Sequence, residues 1–312
     1  MNIKAIISTW AITAAILGAA EAEPFLIKNE AEFQKCVSAN ARVGKLATDM
    51  AFLEGPTWHA DGFLVFSDIP HNELKKWTPG EGVTTFRKPS RNANGNTTDA
   101  QGRLITAEHT GRRLAVTEKD GSLKTLVSEC NGKKFNSPND VVVKSDGTVW
   151  FTDPPYGLPK GETKEQEGNY VFRFDPRANK TTVVATNCDM PNGLVFSPDE
   201  KRLYVADSSG AQRHIRVFDV KADGTLQGGE VFCKIDKGGP DGIRCDAEGR
   251  VWSSAGDGVH IFAPDGSLIG KILVPESAAN LCFGGPDGKT LFITARKSLY
   301  SIPVLATAAK RP

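Results

Sequence analysis

One short pattern recurs six times along the chain. A polar residue opens an apolar run, a tight turn follows, and a second run rich in β-branched and aromatic residues commonly ends on a carboxylate. The stretch from Phe135 to Asp153 shows it in full: Asn139 opens Val141-Val142-Val143, Lys144-Ser145-Asp146-Gly147 turns, and Thr148 to Asp153 returns. Aligned on that turn, the copies are anchored at Gly62, Gly102, Gly147, Glu200, Gly249 and Gly288, 39 to 53 residues apart. A repeat of this period is the signature of a solenoid or propeller, and it outranks any element-by-element reading.

Each turn leads into a strand: Phe63 to Asp68, Arg103 to Glu108, Thr148 to Asp153, Leu203 to Asp207, Arg250 to Ser254 and Leu291 to Thr294. Third strands follow, as at Tyr170 to Phe174 and Ile215 to Val220, and weaker fourth strands, as at Lys124 to Val127 and Thr181 to Ala185. Four short strands per unit predict a propeller blade, and six units predict an all-β, six-bladed β-propeller. With 312 residues, the length alone allows two domains or one large all-β domain; the repeat favours one, over 23–312. An open ring would expose pairing edges. Val43 to Met50 is therefore expected to supply the outer strand of the last blade, closing the ring, with Glu30 to Ser38 as a short outer helix. One Pro- and Gly-rich insertion, residues 154–168, reads as a loop and a candidate lid over one face.

Eight residues before each anchor stand Glu54, Asn94, Asn139, Asn192, Asp241 and Asn280, all carboxylates or carboxamides. The first strand of a blade lines the axis, so these six oxygens are expected to converge near one mouth. Unpaired carboxylates packed together cost several kcal/mol unless protons or a cation neutralise them, and a central metal site resolves the conflict. Oxygen-only donors favour one hard divalent cation, Ca²⁺ first, with Mg²⁺, Mn²⁺ or Zn²⁺ as other candidates. The competing reading is that the Asn side chains cap strand ends by bonding backbone amides.

Other residues near that mouth carry weaker signals. His109, after the second strand of blade two, is a candidate general acid/base or substrate contact, or else a hydrogen-bonded loop histidine. Arg112 and Arg296 are candidates to hold substrate hydroxyl or carboxylate groups, or else surface charge. No Gly-x-Ser-x-Gly elbow is present, which disfavours a serine triad.

Lys+Arg (38) and Asp+Glu (37) nearly cancel with no basic stripe, which argues against nucleic acid and for a small-molecule partner. Residues 1–22 read as a secretory signal, with Lys4, an apolar stretch from Ala5 to Leu17 and the cleavage site Ala20-Glu21-Ala22. The mature chain is expected to be periplasmic or secreted, with no membrane attachment after signal removal, as a monomer or homodimer. Six cysteines allow 15 pairings, none selected by sequence, and flanks such as Val231-Phe232 around Cys233 also suit buried free thiols.

Leu53-Glu54-Gly55-Pro56-Thr57-Trp58, Asn136-Ser137-Pro138-Asn139-Asp140, Thr152-Asp153-Pro154-Pro155-Tyr156-Gly157-Leu158, Met190-Pro191-Asn192-Gly193-Leu194 and Gly239-Pro240-Asp241-Gly242-Ile243 together resemble the SMP-30/gluconolactonase/luciferin-regenerating-enzyme family. The resemblance implies a six-bladed propeller with one divalent metal held by Glu54, Asn192 and Asp241, and with Asn139 as a further ligand or a substrate contact. Asn94 and Asn280 come from the repeat alone and are expected to line the channel, Asn94 within reach of substrate. Regucalcin-like members carry Arg where this chain has Ser137, so recognition of a sugar lactone must come from elsewhere. The activity implied is a metal-dependent lactonase with Asp241 as general base. Its rivals are a phosphoester or organophosphate hydrolase of the same fold and a non-catalytic metal-binding propeller.

Overall fold

A computed structural model describes residues 24–309; the expected signal, residues 1–22, lies outside them. Six antiparallel blades follow one another along the described residues, with a two-stranded ribbon of Glu129–Cys130 and Lys133–Lys134 between the second and the third. Blade one is Leu53–His59, Phe63–Asp68, Glu73–Thr78 and Gly82–Arg87, and blade two is Ala93–Thr98, Leu104–Glu108, Arg113–Thr117 and Leu123–Val127. Blade three comprises Val141–Val143, Val149–Asp153, Tyr170–Asp175 and Lys180–Ala185, and blade four comprises Pro191–Phe196, Arg202–Asp207, His214–Val220 and Leu226–Lys234. Blade five runs through Ile243–Cys245, Val251–Ala255, Gly258–Phe262 and Leu268–Leu273, and blade six through Ala278–Gly284, Thr290–Ala295 and Ser298–Pro303.

The fourth strand of blade six is Gly44–Ala47, paired antiparallel with Ser298–Pro303. The first strand of blade six packs against the first strand of blade one, so the inner strands form a ring. Sequence reasoning missed a fifth strand on blade five: Phe25–Ile27 pairs with Leu268–Leu273. Between the two N-terminal strands lies a helix, Glu30–Cys36, whose first turn is capped by Asn29 Oδ1 accepting from Glu32 N at 3.2 Å. Phe33 seats against Gly270, where a Cβ would fall 2.6 Å from the ring.

The six anchor positions share one backbone state. Gly62, Gly102, Gly147, Gly249 and Gly288 have φ between 69° and 89°, and Glu200 has φ 55°. This is the left-handed turn that glycine adopts without steric cost and other residues rarely do. Glu200 is held in it by a second purpose: its carboxylate accepts from Lys144 Nζ (3.0 Å) and Ser145 N (2.8 Å), tying the turn of blade four to that of blade three.

The apolar core is divided among the interfaces between blades, one cluster for each. Phe135, Phe151 and Phe172 fill the cluster between blades two and three, and Trp150 with Phe196 the next. All six cysteines are buried free thiols. No helix among the described residues is long and apolar enough to cross a membrane.

Candidate active site

At the axis the inner strands approach too closely for side chains at certain positions. Gly55, Gly95, Gly193 and Gly242 each follow a register residue, and a Cβ on any of them would fall within 2.0 to 2.6 Å of the next blade. Backbone bonds run through the same points, from Gly95 N to Asn139 O (2.8 Å), Gly193 N to Asp241 O (3.1 Å) and Gly242 N to Ala279 O (2.8 Å). Hydroxyls from second strands add further ties, Ser67 Oγ to Asn94 O (2.6 Å) and Thr152 Oγ1 to Asn192 O (2.7 Å). The pairs Ser67-Asp68 and Thr152-Asp153 at strand ends are the sequence signal of these ties.

This framework brings the register together. Asn94 Nδ2 donates to Asn139 Oδ1 (2.7 Å) and Asn139 Nδ2 to Asn192 Oδ1 (2.6 Å). On the other side Asn280 Nδ2 donates to Glu54 Oε2 (2.9 Å), which also accepts from Gly55 N (2.7 Å). Glu54, Asn94, Asn139, Asn192 and Asp241 line a cavity of about 590 Å³, together with His109 and residues Tyr156 to Lys160. Asn280 is buried behind Glu54 and orients it.

His109 packs into the wall, its Nε2 3.2 Å from Asn94 Nδ2 and 3.3 Å from Asn139 Oδ1. Burial pushes its pKa down to about 4, with the Asn139 bond partly opposing. The imidazole is therefore neutral near pH 7, suited to holding the two carboxamides and not to donating a proton as a cation. Arg112 does not line the cavity, contrary to expectation. Its Nε donates to Phe135 O (2.6 Å) and its Nη1 to Glu162 Oε2 (2.5 Å) on the 154–168 loop, with Glu165 3.5 Å away. A guanidinium so committed anchors the loop. Arg296 is likewise absent from the cavity wall: its side chain is exposed at the turn between the second and third strands of blade six.

Two residues that sequence reasoning did not single out lie beneath the register. Asp140 occupies the position that is glycine in four other blades, and Gly95 makes room for its carboxylate. Arg244 approaches it at 3.6 Å, both being almost wholly buried. The Ser137 hydroxyl donates to Pro154 O (2.6 Å) and accepts from Gly157 N (3.0 Å).

The acids fit a cation. Burial raises Glu54 to about 7, opposed by its bonds from Asn280 and Gly55 and reinforced by Asp140. Asp241, open to the cavity, is pushed well above the usual carboxylate range by desolvation first, then by Glu54 and Asp140. Two desolvated carboxylates on one cavity, with Glu54 raising Asp241, beside carboxamide oxygens with a lone pair to spare, form a donor set for a hard divalent ion. Asn139 Oδ1 accepts from Asn94 and also has His109 Nε2 at 3.3 Å, whereas Asn192 Oδ1 accepts from Asn139 alone among the described residues and keeps a lone pair free, so Asn192 suits the ion and Asn139 suits a substrate contact. A second group of possible ligands, Asp236, Asp257 and His260, sits on the rim of blade five. There the buried ammonium of Lys271 bonds to Asp236 (2.6 Å) and Asp257 (3.2 Å), so a cation already belongs to the group.

Fold and site define a six-bladed β-propeller with an oxygen-donor cavity at one mouth of its axis. The profile of the SMP-30/Gluconolactonase/LRE-like region matches residues 52–297, and the chain belongs to this family. It is 35% identical over 285 residues to a gluconolactonase of Zymomonas mobilis, covering 82% of this chain and 80% of that one. A pentonolactonase of Haloferax volcanii is 28% identical over 247 residues, with 77% and 80% covered. Among solved structures, a gluconolactonase of Xanthomonas campestris superposes with a TM-score of 0.85 at 36% identity, covering 91% of this chain and 96% of that one. Sugar-lactone hydrolysis is thus supported at the level of the family.

Proposed function

We propose that this chain is a divalent-cation-dependent lactonase that opens a sugar lactone such as glucono-1,5-lactone, exported to the periplasm or beyond the cell. The observation that carries the reading is the meeting of Glu54 and Asp241, two carboxylates with raised pKa values, on one cavity with Asn192. Glu54, Asn192 and Asp241 would hold the ion. When bound, it supplies Lewis-acid polarisation of the lactone carbonyl and charge stabilisation of the oxyanion.

The chain's own residues do the rest. Asp241 orients a water and takes its proton, acting as general base. Asn94 and Asn139, kept in one orientation by His109, present amide groups to the ring hydroxyls. The loop from Tyr156 to Lys160 narrows the mouth and limits solvent. A cavity of about 590 Å³ is in the range that encloses a small ligand.

Purified protein assayed on gluconolactone and on an aryl phosphotriester, each with and without EDTA, tests this. The lactone should be opened, the activity should vanish on chelation and return with Ca²⁺, and the phosphotriester should be turned over far more slowly. Lactone turnover that survives full metal removal would sink the mechanism. No turnover of either substrate with the ion bound would leave a binding propeller.

Chelation should also expose the acids' cost. Both pKa values are raised above their unfolded values, so the ion-free folded chain retains protons that the unfolded chain releases. Its stability is then greatest below the ordinary carboxylate range and falls as the pH rises through about 7, where Glu54 ionises. Thermal unfolding at pH 5 and pH 8 should show a gain from Ca²⁺ that is larger at pH 8. An equal gain at both would contradict the assignment.

A further inference from the structure

The 154–168 loop is fastened at both ends and in its middle, and one side chain within it is left unaccounted for. Asn136 bonds to both ends: its N donates to Asp153 Oδ2 (2.7 Å), and its Nδ2 donates to Asp153 O (2.9 Å) and Gly168 O (3.1 Å). The single hydroxyl of Ser137 closes the turn from Pro154 to Gly157. Gly157 lies flat on the His109 ring, where a Cβ would come within 2.2 Å of the imidazole. The outer arm is pinned by Arg112 to Glu162 and by Lys134 N to Glu165 (2.8 Å). So clasped, the loop has little freedom to retract from the cavity it lines.

Inside this clasp stands Tyr156, 47% exposed although it is a large aromatic side chain in an otherwise tied-down segment. Its hydroxyl faces Ser208 and Asn192 and feels the charge of Asp241, so it points toward the proposed reaction centre. An aromatic residue serving only as a plug would bury its ring and need no hydroxyl there.

We propose that Tyr156 is a substrate-contacting residue of this site, its hydroxyl donating a hydrogen bond to an oxygen of the bound lactone, and that Ser137 is the positioning residue that holds it. This rests on the lactonase reading: the hydroxyl of Ser137 bonds either side of Tyr156, to Pro154 O and Gly157 N, and so acts through the loop and not on the sugar. Desolvation, with Asp241 beside it, pushes the phenol up to about 12, so it stays a donor across the working pH range.

The test uses the full cation-loaded chain with Tyr156→Phe, Ser137→Ala and the double variant. Three quantities are measured: kcat/KM on gluconolactone, affinity for the corresponding non-hydrolysable lactam, and Ca²⁺ affinity by calorimetry. Tyr156→Phe should lower kcat/KM and lactam affinity about tenfold, the value of one well-placed hydrogen bond, while Ca²⁺ affinity stays unchanged. Ser137→Ala should fall in the same direction, and the double variant should be no worse than the poorer single one, since both act through one contact. Tyr156→Phe within twofold of wild type in both readouts overturns the inference. A wild-type chain that binds the lactam through Tyr156 yet opens no lactone overturns the hydrolase reading alone. One that neither hydrolyses nor binds overturns both.

Discussion

Asp241→Asn and Glu54→Gln should each lower kcat/KM on a sugar lactone by on the order of 100-fold, the cost of removing one preorganised charge from a reaction centre. Both substitutions keep size and shape. Gln at position 54 can still accept from Gly55 N and Asn280 Nδ2, the two bonds that now orient the carboxylate. What each removes is one of the two negative charges facing the cavity, and with Asp241 also the proposed base. Ca²⁺ affinity, measured by calorimetry, should fall for both. Near-normal rates with Ca²⁺ binding intact would show that the register serves the propeller's architecture alone.

Arg244→Gln should be the most destabilising of the single changes considered, at about 3–5 kcal/mol in urea unfolding, because it removes a buried cation that faces a buried carboxylate. Asp140 and Arg244 are 1% and 2% exposed, and the guanidinium is 3.6 Å from Asp140 Oδ2. Asp140 also raises Glu54 and Asp241 while Arg244 lowers Glu54, so the pair sets the charge beneath the proposed cation site. Asp140→Asn with Arg244→Gln should recover most of the loss, since the two opposite charges are then removed together. A cost under about 1 kcal/mol for Arg244→Gln would show that the Asp140–Arg244 pair contributes little to stability.

How much of this was legible in the sequence depends on how far each signal reaches along the chain. The turn anchors were visible because a left-handed residue between two strands is a local demand, and glycine meets it at five of six positions. Glu200 fits the same place by spacing alone; only the fold shows the bonds to Lys144 and Ser145 that accompany it. The glycines after Glu54, Asn94, Asn192 and Asp241 were equally visible as letters. Their reason, the approach of a neighbouring blade to within contact, is not.

Side-chain roles divide along the same line. Glu54, Asn94, Asn139, Asn192 and Asp241 share a cavity, as a fixed distance from a repeated turn implies, because strand periodicity carries that distance unchanged from blade to blade. Arg112 and Arg296 were judged by nearness to the mouth, and the fold directs one to the loop and the other to solvent. Ser137, Asp140 and Tyr156 take their meaning from Pro154, Arg244 and Asn192, partners 17 to 104 residues away or on a neighbouring blade. By itself the sequence determined the number of blades, the family and the ring of oxygen donors, all set by patterns that repeat within one blade. Which side chains the ring admits to the cavity, which pin its loop and which balance its charge were decided only in three dimensions, where residues remote in the chain meet across the interfaces between blades.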